Sequence, residues 1–234
     1  MNTNLLIAGA IGFASSMALM FWTLRDYTYP KVEKPFFDDR KVFGLFALGL
    51  VLGIVIFSVQ TYFPLAVVVV ALLFALVEEL IKLIILNIPK FQKKPDTGFY
   101  GLALGLGIGS TVAFGAVYLT LSFIDEINIW AAGTTLVLAL QIVFLHGSTG
   151  ATIGIGVARG SPWGLFAQAA LIHLTYNLLM IPFYTSEFTY GAFLFIVAFV
   201  FLVSSYLYVH YRLIPAFISE LISKFEKNRN IDSY

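Results

Sequence analysis

Seven long apolar segments constrain the fold of this chain more than any other feature. They run over residues 4–24, 42–60, 63–87, 98–124, 130–158, 162–183 and 188–210. A helix needs about 20 apolar residues to cross the hydrocarbon core of a bilayer. Lipid offers no partners to backbone N–H and C=O groups, so such segments become helices. The sequence therefore predicts an all-α, polytopic membrane protein with seven transmembrane helices, forming a single transmembrane domain over 1–234.

The composition excludes several classes of protein. Charged residues make up 12% of the chain, whereas soluble domains contain about 25%. The formal net charge of +1 gives no indication of a nucleic-acid partner. The absence of cysteine excludes disulfides, thiolate metal sites and a cysteine nucleophile. The partner expected from composition is the lipid bilayer.

Basic residues predict the orientation of the chain. Lys and Arg are concentrated in 25–41, in 87–97, near residue 160 and beyond 211, whereas the breaks "QTYF", "IDEIN" and "YTSE" have none. Loops rich in Lys and Arg stay on the cytoplasmic side of a membrane. The alternation predicts an integral, multi-pass protein with its N-terminus outside and its C-terminus in the cytoplasm.

Three ionisable residues lie deep in the third segment. The stretch "ALVEELIKLIIL" contains Glu78, Glu79 and Lys82. Each costs roughly 2.5–3.5 kcal/mol at the centre of a membrane helix, so the group needs partners or a function. The i,i+4 and i,i+3 spacings allow Lys82 to meet either carboxylate. Lys82 is therefore predicted to form a structural ion pair that leaves the other carboxylate free to act.

Two histidines and an amide accompany these charges. His146 lies in "IVFLHGSTGATIG", and His173 and Asn177 share a face in "AALIHLTYNLLM". At 1.5 Å per residue, both histidines reach a depth similar to that of Glu78 and Glu79. Two carboxylates, two imidazoles and an amide are the usual groups for binding a divalent metal or activating a water. The sequence predicts a functional polar site.

Glycines at four-residue steps predict where helices approach closely. Gly101 and Gly105 lie in the fourth segment, and Gly150 and Gly154 lie in the fifth. Small residues at this spacing allow backbones to come into contact. The third to sixth segments, within 70–183, are therefore expected to form the core around the polar site.

At these residues the chain resembles the PrsW-type intramembrane proteases. These belong, with the CAAX-prenyl endopeptidases and bacteriocin-immunity proteins, to one superfamily of membrane metalloproteases. "EELIK" (78–82) resembles the EExxK motif of that group. The segment around His146 and "HLTYN" (173–177) resemble its two histidine motifs in order and spacing. The resemblance covers about residues 70–180.

The resemblance implies an intramembrane metallo-endopeptidase. Glu78 or Glu79 would be the general base for a water that attacks a peptide bond. His146 and His173 would bind a metal, expected to be zinc, with Glu79 as a further candidate ligand, or would orient the water. Asn177 would polarise the carbonyl group or stabilise the oxyanion.

One position departs from that pattern and leaves a second function open. PrsW-type proteins usually have a further Glu in the fourth segment, where this chain has Val112 and no acidic residue. The seven-helix scaffold subunit of gamma-secretase is similar to the superfamily and also lacks that acid. "YGLALGLGIGSTVAFGAV" resembles its corresponding helix. The alternative is therefore a non-catalytic scaffold that binds another membrane protein. A proton- or ion-coupled carrier ranks last because the sequence shows no clear internal repeat.

Overall fold

The fold is built from helices throughout the part of the chain that is described. The computed structural model covers residues 3–124, 128–185 and 188–231, with the backbone alone for 188–189 and 224–231. The helices are α1 Thr3–Leu24, α2 Asp39–Gln60, α3 Val68–Leu86, α4 Thr97–Ser122, α5 Ile129–Ala158, α6 Pro162–Tyr184, α7 Phe188–Tyr208 and α8 Ile214–Ile231, with a π-helical turn Val209–Leu213 between α7 and α8. The predicted all-α class is confirmed.

Six helical segments among these residues are long and apolar enough to cross a membrane. They are α1, α2, α4, α5, α6 and the continuous rod from Tyr190 to Ser223. This agrees with the predicted multi-pass membrane protein. The predicted segment 63–87 corresponds to α3, which has 19 residues and buries three charged side chains. The number of seven membrane crossings therefore stays a prediction.

α4 lies at the centre of the bundle. Every residue from Thr97 to Ala113 is buried, because α1, α2, α3 and α5 all pack against this helix. α6 packs against α3, α5 and α7. α3 therefore borders a space enclosed mainly by α5 and α6, and this space holds the polar residues described below.

Glycines bring the backbones of α4 and α5 into contact. A Cβ atom added at Gly105 would overlap the carbonyl oxygen of His146, and one at Gly101 would overlap the carbonyl oxygen of Gly150. No side chain larger than hydrogen fits at these crossings without moving a helix. The predicted close packing of the two glycine faces is confirmed, and it fixes the position of the backbone that carries His146.

Replacing Gly105 by valine is expected to lower the free energy of unfolding by at least about 1–3 kcal/mol, the usual cost of forcing extra methyl groups into a packed interface. Thermal unfolding in detergent measures the effect. Gly133→Val in α5 is the matched control, because a Cβ atom there meets nothing within 4 Å. Equal melting temperatures for the two variants would contradict the close contact.

Two helix boundaries differ from the sequence prediction by more than three residues, and both lie near prolines. α3 begins at Val68 and not at residue 63, because residues 61–67 form turns around Pro64, which has no N–H to donate. The last helix does not end near residue 210 but continues through the π-helical turn into α8. Only Ile214 separates that turn from Pro215, and local π-helical geometry can satisfy the carbonyl groups that a proline leaves unpaired.

The basic loops gather at one end of the bundle. This end contains the start of α2, the α3–α4 and α5–α6 loops and α8. Three contacts join them: Lys93 N donates to Val157 O at 3.2 Å, Lys41 Nζ lies 3.9 Å from Asp96 Oδ2, and Arg159 pairs with Glu220 at 2.6 Å. The grouping agrees with the predicted alternation of loops, although the cytoplasmic orientation of this end stays a prediction. The opposite loops "IDEIN" and "YTSE" include 125–127 and 186–187, which lie outside the described residues.

Candidate functional site

Helices α3, α5 and α6 bring five of the predicted residues together in one buried group, called here the Glu–His cluster. α3 supplies Glu78, Glu79 and Lys82, whose exposed fractions are 2%, 0% and 0%. α5 supplies His146 and α6 supplies His173. The centroids of the two imidazole rings lie 5.5 Å apart, with the ring planes at 89°. Three helices that are distant in sequence therefore build one polar centre inside an apolar bundle.

Within this cluster, Lys82 forms its ion pair with Glu79. Lys82 Nζ lies 2.7 Å from Glu79 Oε1 and donates a second hydrogen bond, also 2.7 Å, to Thr149 Oγ1. His173 Nδ1 lies 2.7 Å from the same carboxylate oxygen. Of the two pairings that the helical spacing allows, the fold selects this one, because Thr149 on α5 holds the ammonium group on the side of Glu79. The charge of Glu79 is thereby compensated.

Glu78 has a different set of neighbours. Its Oε1 accepts a hydrogen bond from Gln60 Nε2 at 2.6 Å, and its Oε2 lies 3.7 Å from His146 Nε2. That separation is too long for a direct hydrogen bond. One water molecule beside the line that joins the two atoms can hydrogen-bond to both. Within the described ranges, no Lys or Arg pairs with Glu78. One carboxylate oxygen thus faces an imidazole nitrogen without a cation between them.

Two buried polar atoms of the cluster have no hydrogen-bond partner among the described residues. They are Glu79 Oε2 and His146 Nδ1. Leaving a buried polar atom unpaired costs about 1–3 kcal/mol, so native proteins keep such atoms mainly where a ligand, an ordered water or a catalytic role explains them. The second of these atoms belongs to the imidazole whose other nitrogen, Nε2, lies 3.7 Å from Glu78 Oε2. The cluster is therefore suited to holding water or a polar substrate group.

Asn177 occupies a different position from the rest of the predicted site. Its Nδ2 donates to the carbonyl oxygen of Ala71 at 2.8 Å. Asn177 lies one helical turn beyond His173 on α6, and its bond connects α6 to the first turn of α3. Asn177 thus helps to hold together the two helices that carry the Glu79–His173 contact. The oxyanion role implied by the resemblance stays a prediction.

Sequence reasoning missed two residues that complete the cluster. Thr149 lies three residues after His146 in "HGSTG", so helical spacing places it on the same face and could have identified it. Gln60 is the last residue of α2. Its contact with Glu78 comes from the packing of helices, and the local sequence gives no signal for it.

As arranged, the described part of the cluster shows no zinc-ligand set. Zinc sites use three or four His, Cys, Asp or Glu ligands, and no such group of three converges in the described part of the chain. The ammonium group of Lys82 and the imidazole of His173 also both occupy the Oε1 atom of Glu79. The predicted ligand set of His146, His173 and Glu79 stays a prediction.

Metal analysis of the purified protein tests that ligand set directly. With Lys82 already compensating Glu79, we expect well under one zinc per chain in the wild type and no further loss in His146→Ala/His173→Ala. About one zinc per chain, lost in the double variant, would establish the metal site and require Lys82 to move. The metal content should be measured after purification without chelators.

Comparison of the chain with family models, with curated proteins and with solved structures found no match. The resemblance to PrsW-type proteases is therefore carried by the three short motifs alone. The function proposed below rests on the side chains of the Glu–His cluster and on the chemistry that they permit.

Proposed function

We propose that this chain is an intramembrane endopeptidase that hydrolyses a peptide bond of a membrane protein or peptide, within or near the bilayer. Glu78 and His146 activate the water. The observation that carries the proposal is the pair of facing atoms, Glu78 Oε2 and His146 Nε2, separated by 3.7 Å in a fully buried site. A carboxylate and an imidazole on a shared water form a common arrangement for general-base catalysis.

The two adjacent glutamates have separate roles in this proposal. Glu79 shares one oxygen with Lys82 and His173, so it holds the helices in register and keeps the site electrostatically balanced. Among the described residues, the nearest polar partners of Glu78 are an amide and an imidazole, so its Oε2 remains available to accept a proton. Lys82 thus acts as a positioning residue and Glu78 as the catalytic base.

The reaction follows from these assignments. Glu78 Oε2 takes a proton from the bound water while the water oxygen attacks the carbonyl carbon of the substrate. The C–N bond then breaks, and the proton passes from Glu78 to the departing nitrogen. The second water proton stays on the new carboxyl group, so the products are one carboxylic acid and one amine, which become a carboxylate and an ammonium group by proton exchange, with no change in oxidation state. His146 orients the water, and Asn177 remains a candidate donor to the oxyanion.

In this proposal α3 also crosses the membrane, which brings the number of crossings to seven. Its outward side chains are apolar and exposed, including Leu73, Leu76, Val77 and Ile84, whereas its charged side chains all face the bundle. Lipid would therefore contact hydrocarbon alone, and the charges would stay inside protein, where membrane helices place them. With seven crossings, the basic end faces the cytoplasm and the N-terminus lies outside.

Reconstitution with synthetic transmembrane peptides of varied sequence tests this function. The purified protein and the peptides are incorporated into liposomes, and mass spectrometry identifies newly formed peptide termini. We expect cleavage by the wild type and none by the His146→Ala variant, provided that both elute as folded monodisperse protein. Equal cleavage by the two proteins would argue against the proposed site.

One observation favours a non-catalytic scaffold as a second candidate. An apolar groove of about 990 Å³ lies between α5, α6 and α7 and is lined by residues such as Trp130, Val137 and Phe195. α4 also lacks an acidic residue. A scaffold predicts a stable complex with another membrane protein and no cleavage of any peptide in the liposome assay.

A further inference from the structure

A second polar feature lies at the basic end of the bundle, away from the Glu–His cluster. A cavity of about 380 Å³ opens between the first turns of α2 and the α3–α4 loop. Three lysines line it: Lys41 from α2, and Lys90 and Lys94 from the loop. All three side chains are exposed at its rim. Three exposed lysines thus line one cavity between the start of α2 and the α3–α4 loop.

The charges around the cavity leave an excess of positive charge. Lys41 is the only one of the three lysines with acidic neighbours in the described structure; its Nζ lies 3.8 Å from Asp38 and 3.9 Å from Asp96. Lys90 Nζ lies over the ring of Phe91, 4.7 Å from its centroid. Lys90 and Lys94 therefore have their positive charges available for an anion at the rim.

Below the lysines, the cavity wall is apolar. Of its apolar lining residues, Leu45 and Phe91 are buried, while Gly44 and Leu48 are exposed. A Cβ atom added at Gly44 would meet nothing within 4 Å, so there is open space beside this residue. A polar rim above an apolar track matches an amphipathic ligand with a charged head and a hydrocarbon tail.

We propose that this cavity binds an anionic phospholipid of the adjacent leaflet. The phosphate lies among Lys41, Lys90 and Lys94, and one acyl chain lies along Gly44 and Leu48. Basic pockets between membrane helices and their loops are suited to anionic headgroups. The lipid would join α2 to the α3–α4 loop and so stabilise the end of α3 and the start of α4. The proposal does not depend on the peptidase function.

Thermal unfolding in a neutral detergent tests the site with three probes: phosphatidylglycerol, phosphatidylcholine with the same acyl chains, and inorganic phosphate. We expect phosphatidylglycerol to raise the melting temperature more than phosphatidylcholine does, and inorganic phosphate to have no effect. In Lys90→Ala/Lys94→Ala, affinity for phosphatidylglycerol should fall about thirtyfold, since each interfacial lysine contributes about fivefold. Gly44→Phe, which fills the apolar track, should weaken binding of both lipids.

The matched control is Lys31→Ala/Lys34→Ala, which removes two exposed lysines from the same end of the protein. It should retain the full preference for phosphatidylglycerol. An equal loss in both double variants would mean nonspecific attraction to the basic end and would overturn the site. A stabilisation by inorganic phosphate equal to that by phosphatidylglycerol would show a free-anion site instead. Native mass spectrometry of the same samples gives the lipid stoichiometry, and we expect one bound phosphatidylglycerol.

Discussion

Glu78→Gln is expected to reduce peptide cleavage by a factor of about 10²–10⁴, the usual contribution of a general base. The substitution removes the proton acceptor and keeps the size of the side chain. Its amide oxygen can still accept the hydrogen bond from Gln60, so the fold should be retained. Cleavage of reconstituted peptides measures the activity, and thermal unfolding in detergent measures the stability of the same preparations.

The control for this substitution is Glu220→Gln in α8. Glu220 is an exposed carboxylate at the basic end, where it pairs with Arg159, and surface ion pairs of this kind contribute about 0–1 kcal/mol. Its loss should leave cleavage unchanged. A Glu78→Gln protein that is folded and fully active would show that Glu78 is not the base.

Lys82→Met is expected to lower the free energy of unfolding by about 3–5 kcal/mol, because it leaves a buried carboxylate without its cation. Lys82 is completely buried, and its Nζ lies 2.7 Å from Glu79 Oε1. Methionine keeps much of the length of the side chain, so the loss reports mainly on the charge. Denaturation in detergent, followed by circular dichroism, measures the change.

The double variant Lys82→Met/Glu79→Gln should recover much of that loss, because no unpaired charge remains. Lys31→Met, which alters an exposed lysine, provides the surface reference and should have little effect. If Lys82→Met unfolds like the wild type, or if the double variant is no more stable than the single one, Glu79 and Lys82 do not form the proposed ion pair.

The parts of the site that could be predicted are those governed by helix geometry. The i,i+4 and i,i+3 spacings predict that Lys82 contacts one of the two glutamates, and the 1.5 Å rise per residue places His146 and His173 at the level of the glutamates. Glycine spacing likewise predicts the close approach of α4 and α5. Each of these inferences needs only the regular spacing of residues along one helix, or the finding that residues on two helices lie at the same depth in the membrane.

What could not be predicted depends on how the helices pack. The sequence allows Lys82 to meet either glutamate, and Thr149 on another helix decides between them. Gln60 reaches Glu78 only because the end of α2 lies beside α3 in the folded bundle. The π-helical turn before Pro215 likewise continues a helix that hydropathy ends near residue 210, because hydropathy carries no information on backbone hydrogen bonds.

The most direct test of the central claim, that Glu78 and His146 activate a water, uses water enriched in ¹⁸O. The wild type and the Glu78→Gln variant are incubated with the reconstituted peptides in this water, and the new carboxyl termini are weighed by mass spectrometry. We expect one ¹⁸O atom in each new carboxyl terminus for the wild type and almost no new termini for the variant. Intact peptides with the wild type, or labelled termini at equal rates with both proteins, would contradict it.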